Sequence, residues 1–161
     1  MTTRLPRAWL VGIGVAAAIL LGAVFVFGIG GNSQRLRADP ADATQVALGE
    51  QVYRGHCASC HGEKLEGQPH WRARRADGRL PAPPHDEAGH TWHHPEEMLF
   101  RMTKEGLASM LPGYQSDMPR YQGVLTDGEI WAVLAFIKSR WPPKVQQFHA
   151  DLARRASGQG N

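Results

Sequence analysis

The stretch Cys57-Ala58-Ser59-Cys60-His61 constrains this chain more than any other part of it. Two thiols at the spacing C-x-x-C, followed directly by a histidine, form the pattern that attaches a c-type haem. Each thiol can form a thioether with one vinyl group of the porphyrin, and the histidine then offers a neutral imidazole nitrogen to the iron. We therefore predict Cys57 and Cys60 as attachment sites and His61 as an axial ligand.

Three alternatives to haem attachment share this motif: a thioredoxin-like dithiol, half of a zinc site, and chance. A zinc site of the usual kind needs a second pair of Cys or His ligands at suitable spacing, and the chain has only 2 cysteines. The histidine directly after the second cysteine favours haem over a redox dithiol.

An apolar segment, residues 8–31, precedes the motif and contains no charged side chain. As a helix it would be roughly 36 Å long, enough for a hydrocarbon core of about 30 Å. A secretory signal has a shorter apolar region of about 7–15 residues and a small-residue cleavage site, which this segment does not clearly offer. We predict an uncleaved transmembrane anchor, with a signal segment, retained or removed, as the alternative.

The rest of the chain divides by composition into residues 1–7 before the anchor, a linker at 32–40, a haem domain at 41–141 and a tail at 142–161. The tail has apolar residues at near-helical spacing, which predicts an amphipathic helix packed back on the domain. These residues are Val145, Phe148, Leu152 and Ala156. A membrane-surface or partner-binding role for this helix is the alternative.

Most of the net positive charge lies in residues 1–31 and not in the rest of the chain. The formal net charge is +3 at pH 7, and residues 1–31 contribute Arg4 and Arg7 without any acidic residue. The rest of the chain is therefore close to neutral, and nothing in this balance indicates nucleic-acid binding.

Met118-Pro119 is the second chemical signal. A thioether sulfur is a soft ligand, and a Met/His pair on haem iron raises its reduction potential. The ligand must reach the iron from the face opposite His61, on a loop that proline stiffens. Met110 is the rival, because it also lies in a loop and is followed closely by Pro112.

Capping and stop residues predict three helices in the haem domain. We place them from near Asp39 or Asp42 into the haem motif, from His94 as N-cap to Gly106, and from Thr126 as N-cap to Trp141.

Together these motifs resemble the class I c-type cytochromes over about residues 41–140. The match is carried by Gly49, Tyr53, Cys57, Cys60, His61, Gly62, Met118, Pro119 and the closing helix at 126–139. The resemblance implies an all-α cytochrome c fold in which the first and last helices cross, with Gly49 and Tyr53 against Val133 and Phe136. It also implies one covalent haem c with His61 and Met118 as axial ligands.

The resemblance further implies a carrier of single electrons between membrane redox complexes, a reductase and an oxidase, and no enzymatic activity of its own. Covalent haem attachment of this kind takes place outside the cytoplasm. We therefore expect a single-pass protein of the cell inner membrane, with residues 1–7 cytoplasmic and the haem domain facing the periplasm. Two alternatives remain: a cytochrome subunit of a larger oxidase or dehydrogenase complex, and a haem-linked or copper-linked sensor.

The sensor alternative depends on a histidine cluster, His85, His90, His93 and His94. Several imidazoles so close in the chain can ligate copper or zinc. The competing interpretation gives these histidines structural or haem-pocket roles.

The insertion between the haem motif and this cluster also carries candidates for contacts to the haem propionates. The indoles of Trp71 and Trp92 can donate hydrogen bonds, and the guanidinium of Arg72 suits a carboxylate. Plain aromatic packing and a solvated basic loop are the alternatives.

Overall fold

A computed structural model describes residues 37–156 and Gly158, and this part of the chain is all-α, as predicted. Its α-helices are α1 (Ala43–His56), α2 (Ala58–His61), α3 (Glu96–Glu105), α4 (Asp127–Ser139) and α5 (Pro143–Ala156), and its 3-10 helices are Thr91–His93 and Leu107–Ser109.

The predicted cytoplasmic terminus at 1–7, the predicted anchor at 8–31 and the linker up to residue 36 lie outside the described residues. None of the helices between residues 37 and 156 is long and apolar enough to cross a membrane. The N-terminal transmembrane helix therefore stays a prediction.

Helix α1 begins at one of the two predicted positions and leads directly into the haem motif. Asp42 is its N-cap, and the carboxylate accepts the backbone N–H groups of Thr44 at 2.9 Å and Gln45 at 3.1 Å. The helix ends at Cys57, whose N–H donates to the carbonyl of Tyr53 at 2.8 Å. The position of the motif is thus set by the helix that precedes it.

Helices α1 and α4 cross in direct backbone contact at Gly49. A Cβ atom placed there would lie only 1.9 Å from the carbonyl oxygen of Ala132 and 2.9 Å from Cβ of Phe136. One turn later, the ring of Tyr53 lies 5.3 Å from the ring of Phe136. Every residue of α4 from Ile130 to Ile137 is buried, so this helix is the centre of the core. The predicted crossing is confirmed, with Ala132 nearest to Gly49.

Helix α3 begins one residue later than predicted. Pro95, not His94, is its N-cap, because the carbonyl of Pro95 accepts the first helical hydrogen bonds, from Met98 at 3.0 Å and Leu99 at 3.1 Å. The extended ψ of 148° at Pro95 keeps it outside the helix. The helix ends as predicted at Gly106, whose φ of 83° favours glycine.

Helix α4 begins with the predicted capping box. The Thr126 hydroxyl accepts the Glu129 backbone N–H at 3.3 Å, and the Glu129 carboxylate accepts the Thr126 N–H at 2.8 Å. This reciprocal pair satisfies backbone donors that a helix end would otherwise leave open.

Helix α5 packs back on the domain, and Val145 of the predicted apolar stripe packs on the core. The most buried residue of the helix, however, is His149, which the stripe did not include. His149 is fully buried, with Nε2 3.0 Å from the carbonyl oxygen of His94 and its ring 5.0 Å from that of Trp141. Phe148 remains 47% exposed, although its ring lies 5.4 Å from Trp92.

The burial of the His149 side chain predicts that the folded domain loses stability in mild acid. Burial lowers the pKa of His149 below its usual 6.5, and the positive charge of Lys138 lowers it further, against opposing effects of the His94 carbonyl and Glu96. The unfolded chain therefore binds this proton at a higher pH than the folded chain, and the free energy of unfolding falls as the pH drops below about 6.5.

Urea unfolding at about pH 7.5 and pH 5 measures this effect. Between these two values, His149→Leu is expected to lose less stability than the wild type, because one buried titrating group is gone. The control is His70→Asn, which removes an exposed histidine and should keep the wild-type pH dependence. Equal losses in all three proteins would contradict the prediction.

Candidate haem-binding site

The motif Cys57–His61 folds into a single helical turn. The Cys57 carbonyl accepts the backbone N–H of Cys60 at 3.1 Å and that of His61 at 2.9 Å. Residues three and four apart share one face of a helix, so this turn presents both thiols and the imidazole together. Both cysteines are free thiols, Cys57 half-buried and Cys60 exposed.

His61, the predicted axial ligand, is held in one orientation and one tautomer. Its side chain is buried, and its Nδ1 lies 2.8 Å from the carbonyl oxygen of Pro83. A carbonyl only accepts hydrogen bonds, so the proton is on Nδ1 and the lone pair is on Nε2. Burial lowers the pKa of His61, with the Pro83 hydrogen bond opposing, so the ring is neutral at pH 7.

A tyrosine from the helix crossing fixes the turn that follows the motif. The Tyr53 hydroxyl donates to the carbonyl of Gly62 at 2.8 Å. Gly62 ends α2 with a φ of 80°, a conformation that favours glycine. A part-buried hydrogen bond therefore joins the α1–α4 core to the residue directly after the predicted ligand histidine.

Met118 lies on the loop between α3 and α4, half-buried. Met118 and Cys57 are both among the half-buried apolar residues that pack on the described core, whereas Met110 is not. Downstream, the Tyr121 N–H donates to the Thr103 carbonyl of α3 at 3.1 Å. The loop thus brings Met118 to the same core that the haem motif contacts.

Tyr121 ties this loop to the haem motif, and sequence reasoning missed it. Its hydroxyl donates to the carbonyl of His56 at 2.6 Å, directly before Cys57. Burial raises the pKa of Tyr121 to about 12, and the nearby thiols of Cys57 and Cys60 contribute to the rise. The only sequence signal was an aromatic residue three positions after Met118.

His85 packs against the predicted ligand. Its ring stacks on that of His61 with centroids 4.0 Å apart, and its Nδ1 lies 2.7 Å from the Thr91 hydroxyl. Burial lowers the pKa of His85 well below its usual value, and His61 and His90 lower it further. His85 is therefore a neutral ring behind the ligand histidine, in line with the haem-pocket role.

The other three histidines of the predicted cluster make aromatic contacts. His90 stacks on Trp71 at 5.4 Å and meets the edge of His94 at 5.3 Å, while His93 stacks on Trp92 at 3.7 Å. The described residues contain no group of three or more His, Cys, Asp or Glu side chains that could hold a metal ion. The copper or zinc hypothesis gains no support from this arrangement.

The candidates for propionate contacts differ in their surroundings. The Arg72 guanidinium lies 4.0 Å above the Trp71 ring, so these two side chains already contact each other. The Trp92 Nε1 atom is buried and has no acceptor within the described part of the chain. A buried donor without an acceptor is costly, so Trp92 fits a carboxylate from a bound group better than Trp71 does.

One family of known proteins matches this chain. The family model for Cytochrome c matches residues 46–141, a span that contains the haem motif, the Met118 loop and α4. Comparisons with curated proteins and with solved structures gave no match. The matched span exceeds half of the chain, and the chain belongs to the cytochrome c family of haem-binding electron-transfer proteins.

Proposed function

We propose that this protein is a membrane-anchored monohaem c-type cytochrome that passes single electrons between membrane redox complexes. The apolar segment 8–31 supports an anchor in the cell inner membrane. The haem motif supports a periplasmic location for the domain, because covalent attachment of haem takes place outside the cytoplasm. Family membership supports the electron-transfer role.

Four side chains would hold the haem. Cys57 and Cys60 would form the two thioethers, Nε2 of His61 would bind the iron on one face, and the sulfur of Met118 would bind it on the other. The bound haem supplies the one-electron couple of its iron. Trp92, whose indole N–H is buried without an acceptor in the described chain, would donate to a propionate.

The observation that carries the proposal is the hydrogen bond between His61 Nδ1 and the Pro83 carbonyl at 2.8 Å. A ligand histidine normally donates its other ring N–H to an acceptor, which sets the tautomer and the ring orientation. His61 has this arrangement directly beside two free thiols. A redox dithiol would not require it, and a zinc site would need further ligands, of which the described residues offer no suitable group.

With His61 and Met118 as ligands, the iron would have no open position for a substrate. Such a site would suit electron transfer and would disfavour catalysis at the metal. The hydrogen bonds of His61 and of the Met118 loop hold these two side chains in place.

Covalent attachment is tested by extracting the haem. The full-length protein, matured in a periplasm that attaches c-type haem, is expected to keep its haem through acidified organic solvent. Cys57→Ala/Cys60→Ala should lose it into the organic phase, because no thioether remains. The matched control is Cys60→Ala alone, which should retain haem through Cys57. Complete extraction of haem from the wild type would contradict the proposal.

A further inference from the structure

The basic insertion after the haem motif meets the Met118 loop at Asp117. The two carboxylate oxygens of Asp117 each pair with a different guanidinium, Oδ2 with Arg75 and Oδ1 with Arg79. These pairs join segments that are 42 and 38 residues apart in the chain. Asp117 is also the residue directly before Met118, so the contact acts on the loop beside the predicted ligand.

The two arginines are presented by one closed turn. The Arg75 N–H donates to the Arg79 carbonyl at 2.9 Å, and the Gly78 N–H donates to the Arg75 carbonyl at 2.9 Å. The Asp77 carboxylate accepts the Arg79 N–H, also at 2.9 Å. Because the turn holds its own shape, it brings both guanidinium groups to Asp117 with little further ordering.

A second contact joins the same two segments. Arg74 donates to the Gly78 carbonyl at 2.7 Å and places its guanidinium 5.8 Å from the centre of the Tyr114 ring. Tyr114 precedes Asp117 on the Met118 loop. The insertion therefore contacts the upstream side of this loop at two points.

The downstream side of the loop is attached separately, because the Tyr121 hydroxyl donates a hydrogen bond to the His56 carbonyl at 2.6 Å. Between these attachments, the Met118 N–H donates to the Ser116 hydroxyl at 3.0 Å. Further upstream the loop is open to solvent, and Leu111 is 51% exposed. Asp117 is thus the last fixed point before Met118.

We propose that Asp117, Arg75 and Arg79 form an ionic strap that holds the Met118 loop closed over the haem. The strap rests on the proposed function, since it assumes that Met118 binds the iron. Asp117 is a positioning residue, because it acts through Met118 and has no contact of its own with the haem. Through this strap the insertion would help to keep Met118 on the iron.

The strap should act on loop opening and hardly at all on global unfolding. Its side chains are 41–44% exposed, and exposed ion pairs add little to the stability of a whole domain. Opening of one loop is a much smaller event than unfolding. A change too small to move the melting temperature can therefore still multiply the open population.

Imidazole binding to the ferric holoprotein measures that population. Free imidazole reaches the iron only when Met118 has left it, so its apparent affinity rises with the open fraction. Asp117→Asn is expected to bind imidazole about 3- to 10-fold more tightly than the wild type. High salt should weaken the strap in the wild type and reduce this difference.

Glu50→Gln is the matched control. It removes one carboxylate charge that pairs with two guanidinium groups on other parts of the domain, outside both the basic turn and the Met118 loop. It should bind imidazole like the wild type. Arg75→Gln/Arg79→Gln should reproduce Asp117→Asn, and the triple variant should add nothing more. Melting temperatures should agree across the series.

Two outcomes separate the strap from the function it rests on. If the wild type shows methionine ligation and Asp117→Asn binds imidazole no more tightly than Glu50→Gln, the strap is wrong and the proposed function stands. If the wild type shows no methionine ligation, the proposed ligand set fails and the strap fails with it.

Discussion

Replacing Met118 by alanine is expected to lower the reduction potential of the haem by on the order of 100 mV. The thioether sulfur of Met118 favours ferrous iron, whereas a water molecule in its place would not. The ferrous variant should also bind carbon monoxide, because one face of the iron is now open. Spectroelectrochemical titration of the holoprotein measures the potential, and a carbon monoxide difference spectrum measures the opening.

Met110→Ala is the control for this experiment, since Met110 is the rival ligand in the sequence and sits at the end of the 3-10 helix Leu107–Ser109. The reduction potential of the Met110→Ala holoprotein should stay at the wild-type value. A drop in Met110→Ala with none in Met118→Ala would assign the ligand to Met110. A wild-type potential in both variants would show that neither methionine binds the iron.

Gly49→Ala is expected to destabilise the domain by about 3 kcal/mol or more, because no space exists for the new methyl group. Its Cβ would lie 1.9 Å from the Ala132 carbonyl oxygen, which is backbone and cannot rotate away. Helices α1 and α4 would have to separate at the centre of the core. Thermal unfolding should show a melting temperature lower by about 10 °C.

Gly55→Ala provides the control on the same helix. A Cβ at Gly55 would meet no atom within 4 Å, and alanine is the better helix former by about 0.5–1 kcal/mol. This variant should therefore be as stable as the wild type or slightly more stable. Similar melting temperatures for the two variants would contradict the close crossing at Gly49.

Features that depend on short stretches of chain could be predicted from the sequence. The caps at Asp42 and Thr126 and the stop at Gly106 follow from side chains or backbone preferences within one helical turn. Pro95 shows the limit of this approach, because proline is favoured at the first helical position, yet the hydrogen bonds of its carbonyl make Pro95 the N-cap here. The error was therefore a single residue.

Contacts between distant segments could not be predicted. Tyr121 meets His56 across 65 residues, and His149 meets His94 across 55. Such pairs depend on the path of the intervening loops, which no local pattern encodes. His149 was missed for a further reason: a search for apolar periodicity gives no weight to a histidine, although a neutral imidazole with one hydrogen bond can be buried.

The histidine cluster could be found in the sequence, but the partner of each histidine could not. His85 turns to the ligand His61, while His90 and His93 stack on two different tryptophans. Each histidine ring can stack on any of several aromatic side chains near it. The sequence contains these tryptophans, but it does not tell which ring will meet which histidine.

The proposed function depends on His61 and Met118 binding the iron from opposite faces. The most direct test is the absorption spectrum of the wild-type holoprotein, ferric first and then ferrous under carbon monoxide. We predict the weak far-red band that methionine gives on ferric haem, and no change when carbon monoxide is added to the ferrous form. Absence of that band together with ready binding of carbon monoxide would contradict the claim, and would indicate an open site.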